Sequence, residues 1–467
     1  MAQVKQNQAE KTELFETMPI AKAVITLSVP TVLSSLVMML YSLVDTYFVG
    51  LLNDPVQNAA VTLAYPILLS LNAVNNLFGV GSSSMMSRAL GLHDLDTARR
   101  SSAFGFYCSV FCGLIYSLAV GIFMNPLLVL LGAEQDTMEA TRAYLQWTIV
   151  CGAMPAILNV VMAYMVRSEG SSLHASIGTM SGCILNIILD PFFILPWGLG
   201  MGAAGAGLAT FISNCVACIY FFILLFVKRG RTVVCVNPKM FHINKKIVTG
   251  VCGVGIPAAI QNLLNVVGMT ILNNLTAAYG TEAVAAMGIA QKVSHIPMQI
   301  ALGISQGVMP LIGYNYSSRN IKRMKKALIF TIEVALVLLL VIAVLCYIFA
   351  GPIVTLFMKD EQVVAYGTRF VRAFMIGAPF LSMDFVGVGV YQACGLGLYS
   401  LIFAIVRKVV LEIPLMFVMD KVNPLYGLPY SQVITEMILT VAAIIVLVRL
   451  FKKWEKEAAN PEENYDE

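Results

Sequence analysis

The chain has 467 residues, of which 58% are hydrophobic and only 12% are charged, and its mean hydropathy is +0.80. Soluble domains have about 45–50% apolar and about 25% charged residues. A core surrounded by water cannot hold this excess, so the composition excludes an ordinary soluble protein and makes lipid the solvent. The net charge of +4 then has to be read by its position along the chain.

The chain opens with a polar, charged segment, residues 1–22, which lacks the pattern of a cleavable signal peptide. Twelve continuous apolar segments follow. Each is long enough to cross hydrocarbon, which takes about 20 residues per helix. They lie near 24–48, 58–82, 101–124, 142–164, 174–196, 204–227, 248–275, 284–309, 327–350, 366–390, 399–419 and 427–449. We therefore predict an all-α polytopic membrane protein with twelve transmembrane helices.

The basic residues are distributed unevenly between the two sides of these segments. With the N-terminus inside, 24 of the 30 Lys and Arg residues fall on the inner side. This bias predicts a multi-pass protein of the plasma (cytoplasmic or inner) membrane, with both termini in the cytoplasm. The basic loops report orientation, so we expect no nucleic-acid partner.

A basic connection, residues 228–247, divides the apolar segments six and six. Landmarks recur across it at an offset of 224 to 227 positions; for example, Pro30 matches Pro257 and Gly79 matches Gly303. Six crossings per repeat is an even number, so both repeats cross in the same orientation. Parallel six-helix halves are a transporter design. The predicted domains are an N-terminal segment 1–22, an N-lobe 23–227, the linker 228–247, a C-lobe 248–450 and a charged tail 451–467.

Several motifs, in this order, resemble the multidrug and toxic compound extrusion (MATE) family. They are Pro30 with Leu40–Gly50 (LYSLVDTYFVG), Gly79–Gly91 (GVGSSSMMSRALG), Arg167–Gly170 (RSEG), Leu185–Pro191 (LNIILDP), Gly202–Thr210 (GAAGAGLAT), Gln392–Gly395 (QACG) and Arg407. The resemblance runs from about residue 14 to residue 450. It implies two six-helix lobes around a central V-shaped cavity. It also implies export of amphipathic, often cationic compounds, driven by entry of protons or sodium ions.

Acidic residues inside apolar segments are the candidates for coupling, because a charge there is costly and usually functional. Asp190 follows Asn186 by one helical turn, so both lie on one helical face. Pro30 removes a backbone hydrogen bond and favours a bend, with Asp45 on the moving part. The resemblance implies a cation or proton site in the first lobe formed by these residues and one hydroxyl: Asp45, Asn186, Asp190 and Thr210.

Two carboxylates buried close together disfavour double ionisation, so we expect one proton to be retained near neutral pH. The four oxygen-bearing side chains suit either a proton or a sodium ion. The alternative is a purely structural role, in which each acid only pairs with hydrogen-bond donors of a neighbouring helix. In the second half, Leu272 stands opposite Asp45, and the seventh segment offers amides such as Gln261 and Asn265, which cannot titrate. We therefore expect coupling in the first lobe alone.

The other acids in apolar segments, Glu333, Glu412 and Glu436, favour structural roles, with Glu412 pairing with Arg407 or Lys408. Substrate contacts are expected among polar and soft side chains, although each alone is more often a packing or lipid-facing residue. The candidates are Met38, Tyr41, Asn72, Asn75, Asn76, Gln261, Asn265, Lys292, His295, Gln299 and Asp384. Lys292 needs a partner inside its segment, either an acid such as Asp384 or the substrate.

No motif predicts an enzyme or a bound cofactor. The Gly200–Gly205 stretch reads G-x-G-x-x-G, and Gly303–Gly307 reads G-x-S-x-G, but both lie outside the strand-to-helix turns that such motifs require. The favoured function is a cation-coupled multidrug antiporter, working as a monomer in the bilayer on a small amphipathic substrate. The alternatives are a lipid-linked saccharide or lipid flippase of the same superfamily and, less favoured, a membrane-embedded enzyme.

Overall fold

The computed structural model describes residues 13–459, and every regular element in that range is helical. The α-helices are α1 (Ile20–Gly50), α2 (Pro55–Gly91), α3 (Leu95–Ile122), α4 (Met124–Leu130), α5 (Gln135–Leu145), α6 (Ala153–Ser168), α7 (Ser172–Ile194), α8 (Ala203–Val227), α9 (Lys245–Ala277), α10 (Thr281–Ser317), α11 (Ile321–Ile348), α12 (Ala350–Phe357), α13 (Glu361–Gly377), α14 (Leu381–Ala393), α15 (Gly397–Ile405), α16 (Ile413–Val422) and α17 (Gly427–Ala459). Shorter π-helical or 3-10 segments are Glu13–Thr17, Gln146–Cys151, Pro238–Met240, Ala378–Phe380 and Val406–Glu412.

Within the described range, ten helices are long and apolar enough to cross a membrane, with Glu361–Ala393 counted as one of them. An eleventh is obtained if Gln135–Cys151 and Ala153–Ser168, which meet at a bend of 49°, form one broken span. The protein is therefore an all-helical polytopic membrane protein with ten or eleven candidate spans.

The difference from the predicted twelve lies in the segment 399–419. This part of the chain is helical without a gap from Gly397 to Val422, but its middle, Val406–Glu412, is π-helical, so it is not one regular α-helix. It also carries the buried charges of Arg407, Lys408 and Glu412. An apolar run in the sequence here becomes an interrupted helix with a charged centre.

The order and length of the helices repeat across the chain. Helices α2 and α10 both have 37 residues, and α3 and α11 both have 28. In each half, these two long helices are followed by a short one: α4, with seven residues, in the first half and α12, with eight residues, in the second. The turn before the third long helix also recurs. His93 and Arg319 adopt φ of 56° and 57°, and the next residue, Asp94 or Asn320, caps the helix with its side chain.

The described chain divides into two compact units whose limits lie inside helices. Unit 1 contains Leu33–Ala259, and unit 2 contains Phe15–Val32 with the chain from Ile260 onward. Helix α1 is continuous through Pro30, and the boundary follows that residue by two or three positions. The first part of α1 thus belongs to unit 2 and its second part, with Asp45, to unit 1. In helix α9 the first part belongs to unit 1 and the second part to unit 2.

Glycines at matching positions explain this division. In unit 1, a Cβ on Gly81 of α2 would lie 2.3 Å from the carbonyl oxygen of Val251 in α9. In unit 2, a Cβ on Gly307 of α10 would lie 2.7 Å from Cα of Ser28 in α1. Helix α2 therefore packs, backbone against backbone, on the first part of α9 from the other repeat. In the same way, helix α10 packs on the first part of α1.

The segment before α1 is fastened to unit 2 by polar and aromatic contacts. The Phe15 ring is 2% exposed and stacks on Tyr314 with the ring centroids 4.8 Å apart. Its carbonyl oxygen accepts hydrogen bonds from Arg323 Nε at 2.6 Å and from Asn315 Nδ2 at 3.1 Å. These contacts fix the start of α1 on the ends of α10 and α11.

The core of unit 1 is apolar and lies between α2, α3, α5, α6 and α8. Met86, Ile149, Ile157 and Met162 are among its completely buried side chains. Large apolar side chains also cover the outside of the helices, for example Leu130, which is 83% exposed. An apolar outer surface is expected where lipid and not water is the solvent.

We predict that Gly81→Ala and Gly307→Ala each lower the free energy of unfolding by about 1–3 kcal/mol, because the added methyl group overpacks a backbone contact. Gly253→Ala and Gly288→Ala are the matched controls, since no atom lies within 4 Å of a Cβ at either position. The controls should be neutral or stabilising by up to about 1 kcal/mol. Thermal unfolding of the purified variants in detergent measures this; equal effects at all four positions would contradict the close packing.

Candidate functional site

Three helices of unit 1 bring the four predicted coupling residues together. Asp45 comes from the second part of α1, Asn186 and Asp190 from α7, and Thr210 from α8. Helices α7 and α8 are joined by a short connection and run antiparallel, so the last turns of α7 lie beside the first turns of α8. Asn186 and Asp190 are 1% and 0% exposed, so their polar groups depend on partners inside the protein.

The Asn186 side chain links Asp190 to α8. We assign the amide nitrogen to the atom that faces Asp190, because this orientation satisfies both ends of the amide. The nitrogen then donates to the two carboxylate oxygens at 3.2 and 2.9 Å. The amide oxygen accepts from the hydroxyl of Thr210 at 3.3 Å and from its backbone N–H at 3.1 Å. Asp190 is thus held as a hydrogen-bond acceptor by a fixed donor.

Asp45 faces the same site from α1 and interacts electrostatically with Asp190. Its side chain is half-buried, and its buried Oδ1 atom has no hydrogen-bond partner among the described residues. Two tyrosines border the acids. Tyr41 contacts the Thr210 hydroxyl and interacts with both carboxylates, and Tyr144 of α5, which is 5% exposed, also interacts with both.

The two acids of this site have no cation beside them. Among residues 13–459, no Lys, Arg or His side chain forms an ion pair with Asp45 or Asp190. Transfer of an unpaired ionised carboxylate out of water is strongly unfavourable, so such groups either acquire a counter-ion or take up a proton. We call Asp45, Asp190, Asn186, Thr210 and Tyr41 the acid pair site.

In unit 2, by contrast, buried acids form ion pairs with basic side chains. Arg407 lies 2.6 Å from Asp384 of α14, and its other terminal nitrogen pairs with Glu436 of α17. In the next position, Lys408 Nζ lies 2.7 Å from Glu412 Oε1. All five side chains are at most 8% exposed. This charged core joins the interrupted helix to its neighbours, and it agrees with the structural roles expected for Glu412 and Glu436.

Two expectations for unit 2 need correction. Asp384 is 3% exposed and is occupied by Arg407, so it is not open to a substrate and is not the partner of Lys292. Lys292 is exposed and has no ion pair among the described residues. Glu333 also faces outward from its helix.

The remaining substrate candidates are distributed over both units. In unit 1, Met38 is 38% exposed, Tyr41 lies at the acid pair site, and the buried Asn75 donates to the exposed Asn72 at 3.3 Å, with Asn76 half-buried next to it. In unit 2, the half-buried side chains are Gln261, Asn265, His295 and Gln299. Gln261 Oε1 accepts from Gln392 at 3.4 Å. These positions define polar surface, and no contact of theirs identifies a substrate.

Tyr144 is the functional candidate that sequence reasoning missed. It occupies the end of α5, an amphipathic helix with charged residues, where a tyrosine reads as an ordinary interfacial side chain. Only the packing of α5 against α8 brings its hydroxyl near the acids. No local sequence signal distinguishes it.

A family model, MatE, matches the chain twice, over residues 30–192 and over residues 257–418. Multidrug export protein MepA from Staphylococcus aureus (strain MRSA252) is 33% identical over 444 residues, covering 94% of this chain and 96% of that protein. MepA from Staphylococcus saprophyticus is 32% identical over 441 residues, with the same coverage of each.

Solved structures match over nearly the whole chain. An outward-facing structure of a multidrug resistance MATE family transporter of the MOP superfamily has a TM-score of 0.90 and 24% identity, covering 95% of this chain and 98% of that one. A MOP superfamily transporter from Pyrococcus furiosus has a TM-score of 0.89 and 25% identity, with coverage of 95% and 98%. The fold of this chain is therefore the fold of those transporters.

We predict that Arg407→Met lowers the free energy of unfolding by about 3–5 kcal/mol, because it leaves Asp384 and Glu436 buried without their cation. Lys325→Met is the matched control: it breaks an ion pair with Glu455 that is 2.7 Å long but solvent-exposed, and should cost less than about 1 kcal/mol. Thermal unfolding and membrane yield measure the difference. An Arg407→Met protein as stable as the control would contradict a structural role for the charged core.

Proposed function

The chain belongs to the MATE family of the MOP superfamily, a family of transporters and not of enzymes, and from this premise we propose that it is a proton-coupled multidrug antiporter. Membership confirms the resemblance seen in the sequence motifs. Multidrug export is the function that the bacterial relatives' names carry, and small-molecule drugs are the corresponding substrates. The coupling ion and the residues that bind it are the finer part of this proposal.

The observation that carries the proposal is the unpaired state of the acid pair site. Asp45 and Asp190 interact with each other and have no basic partner in the described chain. Two such carboxylates cannot both ionise without a large desolvation and repulsion cost. The pair therefore favours binding of one positive charge. A cationic cargo and a small cation can supply this charge alternately.

Two features favour a proton over sodium as that small cation. Sodium requires several oxygen ligands directed at one point. In the assigned orientation, however, Asn186 presents its N–H group to Asp190 and uses its oxygen for Thr210. Asp45 Oδ1 is the one fully buried oxygen of the two acids that lacks a hydrogen-bond partner among the described residues. A proton needs only one such oxygen, so we assign the exchangeable proton to this atom.

Exchange then follows from competition for the same charge. When Asp45 is protonated, the only charge of the site is that of Asp190. The Asn186 amide and the neighbouring hydroxyl groups stabilise this charge. Loss of that proton leaves two negative charges, which favours binding of a cationic drug. Alternation between these states, with access to one side of the membrane at a time, gives antiport. Neutral amides such as Gln261 and Asn265 would contact cargo without taking part in proton exchange.

Three structural expectations remain part of the proposal. We propose that the interrupted segment α15 to α16 crosses the membrane as a twelfth span, since the charges at its centre are paired. We also propose cytoplasmic termini, from the positive-inside bias, and function as a monomer. The lobe limits at 23–227 and 248–450 stay a prediction about which helices move together.

We predict that Asp45→Asn and Asp190→Asn each abolish export driven by a pH gradient, while the variants still insert into the membrane. An asparagine cannot release a proton, so the site no longer changes its charge. Ethidium efflux from everted membrane vesicles with an imposed pH gradient measures the effect. Glu333→Gln is the matched control, because it makes the same chemical change at an acid inside a helix of unit 2, away from the site, and should export normally.

The same vesicles separate the alternatives. Export that responds to a sodium gradient but not to a pH gradient would replace the proton by sodium. Export by the wild type that ignores both gradients would reject coupled antiport and favour a flippase of the same superfamily. Undiminished pH-driven efflux by Asp45→Asn would refute the role of the acid pair site.

A further inference from the structure

One face of α7 is polar along most of its length. The residues that share it recur at intervals of three to seven positions and are all buried: Ser172, Ser176, Thr179, Asn186 and Asp190. At a rise of about 1.5 Å per residue, the row extends about 27 Å, which is close to the roughly 30 Å of bilayer hydrocarbon. The opposite face is apolar and exposed, so the helix presents its polar side to the protein interior.

Helices α6 and α8 add polar groups to this row. One turn beyond Thr210 on α8, the Asn214 Oδ1 atom accepts from Asn159 Nδ2 of α6 at 3.3 Å. Ser213 lies beside the one gap in the row, Gly182, where a Cβ would stand 3.1 Å from the serine carbonyl oxygen. These groups extend the polar row from α7 onto the neighbouring faces of α6 and α8.

Several of these groups have unused hydrogen-bonding capacity. Ser172 Oγ, Ser176 Oγ, Ser213 Oγ and Asn159 Oδ1 are buried and have no hydrogen-bond partner among the described residues. The four side chains are between 0% and 7% exposed. Buried polar groups are almost always hydrogen-bonded, and internal water is the usual partner where protein supplies none. Four such atoms on three adjoining helices favour internal water molecules at this junction.

The row ends at a second buried carboxylate. Glu169, in the connection between α6 and α7, is 2% exposed. Its Oε1 accepts from Ser171 Oγ at 3.3 Å, and its Oε2 accepts from Thr232 Oγ1 and Val233 N–H, each at 2.9 Å. The distribution of basic residues predicts that this connection faces the cytoplasm. A carboxylate therefore stands at each end of the polar row.

We propose that this seam, defined by Ser172, Ser176, Thr179, Asn186, Ser213 and Asn159, conducts protons between Asp190 and Glu169. The proton that Asp45 gives up is taken by Asp190, which passes it to a neighbouring water molecule or hydroxyl group, and each of these accepts one proton and donates another. Glu169 accepts the last proton and passes it to the aqueous phase. Asp190, the hydroxyl groups and Glu169 end as they began, so only Asp45 changes its charge.

The inference rests on the proposed proton coupling and adds the route to it. The other titratable groups on α6, α7 and α8 and directly after them are Tyr164, Arg167, His174, Cys183, Cys215, Cys218, Tyr220 and Lys228. The His174 Nδ1 atom contacts the Tyr220 hydroxyl at 3.2 Å and lies off the row. None of these is required to change charge.

The test is the double variant Ser176→Ala with Ser213→Ala, which removes two relay hydroxyls and leaves both acids of the site unchanged. Proton release by purified protein on addition of ethidium is followed by stopped-flow with a pH dye. We expect release to slow several-fold while its amplitude and the thermal unfolding temperature stay unchanged. Ser109→Ala is the matched control: this buried serine of unit 1 donates to the Phe106 carbonyl at 2.8 Å and lies outside the seam.

Release by the double variant at the rate of wild type and Ser109→Ala would overturn the seam alone. A loss of amplitude in the double variant would also overturn it, because the hydroxyls would then shape the acid pair site rather than carry protons. Absence of release in the wild type would overturn the proposed proton coupling, and the seam with it. pH-driven ethidium efflux, which should slow by the same factor, provides the second measurement.

Discussion

The constraint on which the rest depends is the cost of an ionised carboxylate where water is scarce. Such a group must find a cation, be held by hydrogen bonds, or take up a proton. Unit 2 uses the first solution, with Asp384, Glu412 and Glu436 all beside a basic side chain. Unit 1 leaves Asp45 and Asp190 without one. The contrast separates a charged core of ion pairs from a pair of acids whose charge, in the proposed function, changes with the transport cycle.

This contrast is built on a repeated framework. The long helices of the two halves agree in order and nearly in length, and the family model matches each half once. Yet Leu272 stands where the first repeat has Asp45, and its side chain is 6% exposed. The first repeat thus has a titratable side chain at this position, whereas the second repeat has a buried apolar side chain. Because α1 begins in unit 2 and carries Asp45 in unit 1, the proposed protonation of Asp45 would act on a helix that both units share.

Sequence reasoning predicted what depends on local pattern and motif. The twelve apolar segments coincide with helical parts of the chain, and Asn186, Asp190 and Thr210 lie together as the motif resemblance implied. It could not predict what depends on which helices become neighbours. The double pairing of Arg407, the approach of Tyr144 to the acids and the unit boundary inside α1 all arise from such packing. For the same reason Asp384, a lone acid in the sequence, proved to be paired.

The most direct test is infrared difference spectroscopy of the purified protein on addition of ethidium. The account predicts that drug binding removes the carbonyl absorption of a protonated carboxyl group, and that the Asp45→Asn variant lacks this change while Glu333→Gln retains it. A spectrum without loss of a protonated carboxyl group, or one that is unaltered in Asp45→Asn, would contradict the exchange of a proton for cargo at the acid pair site.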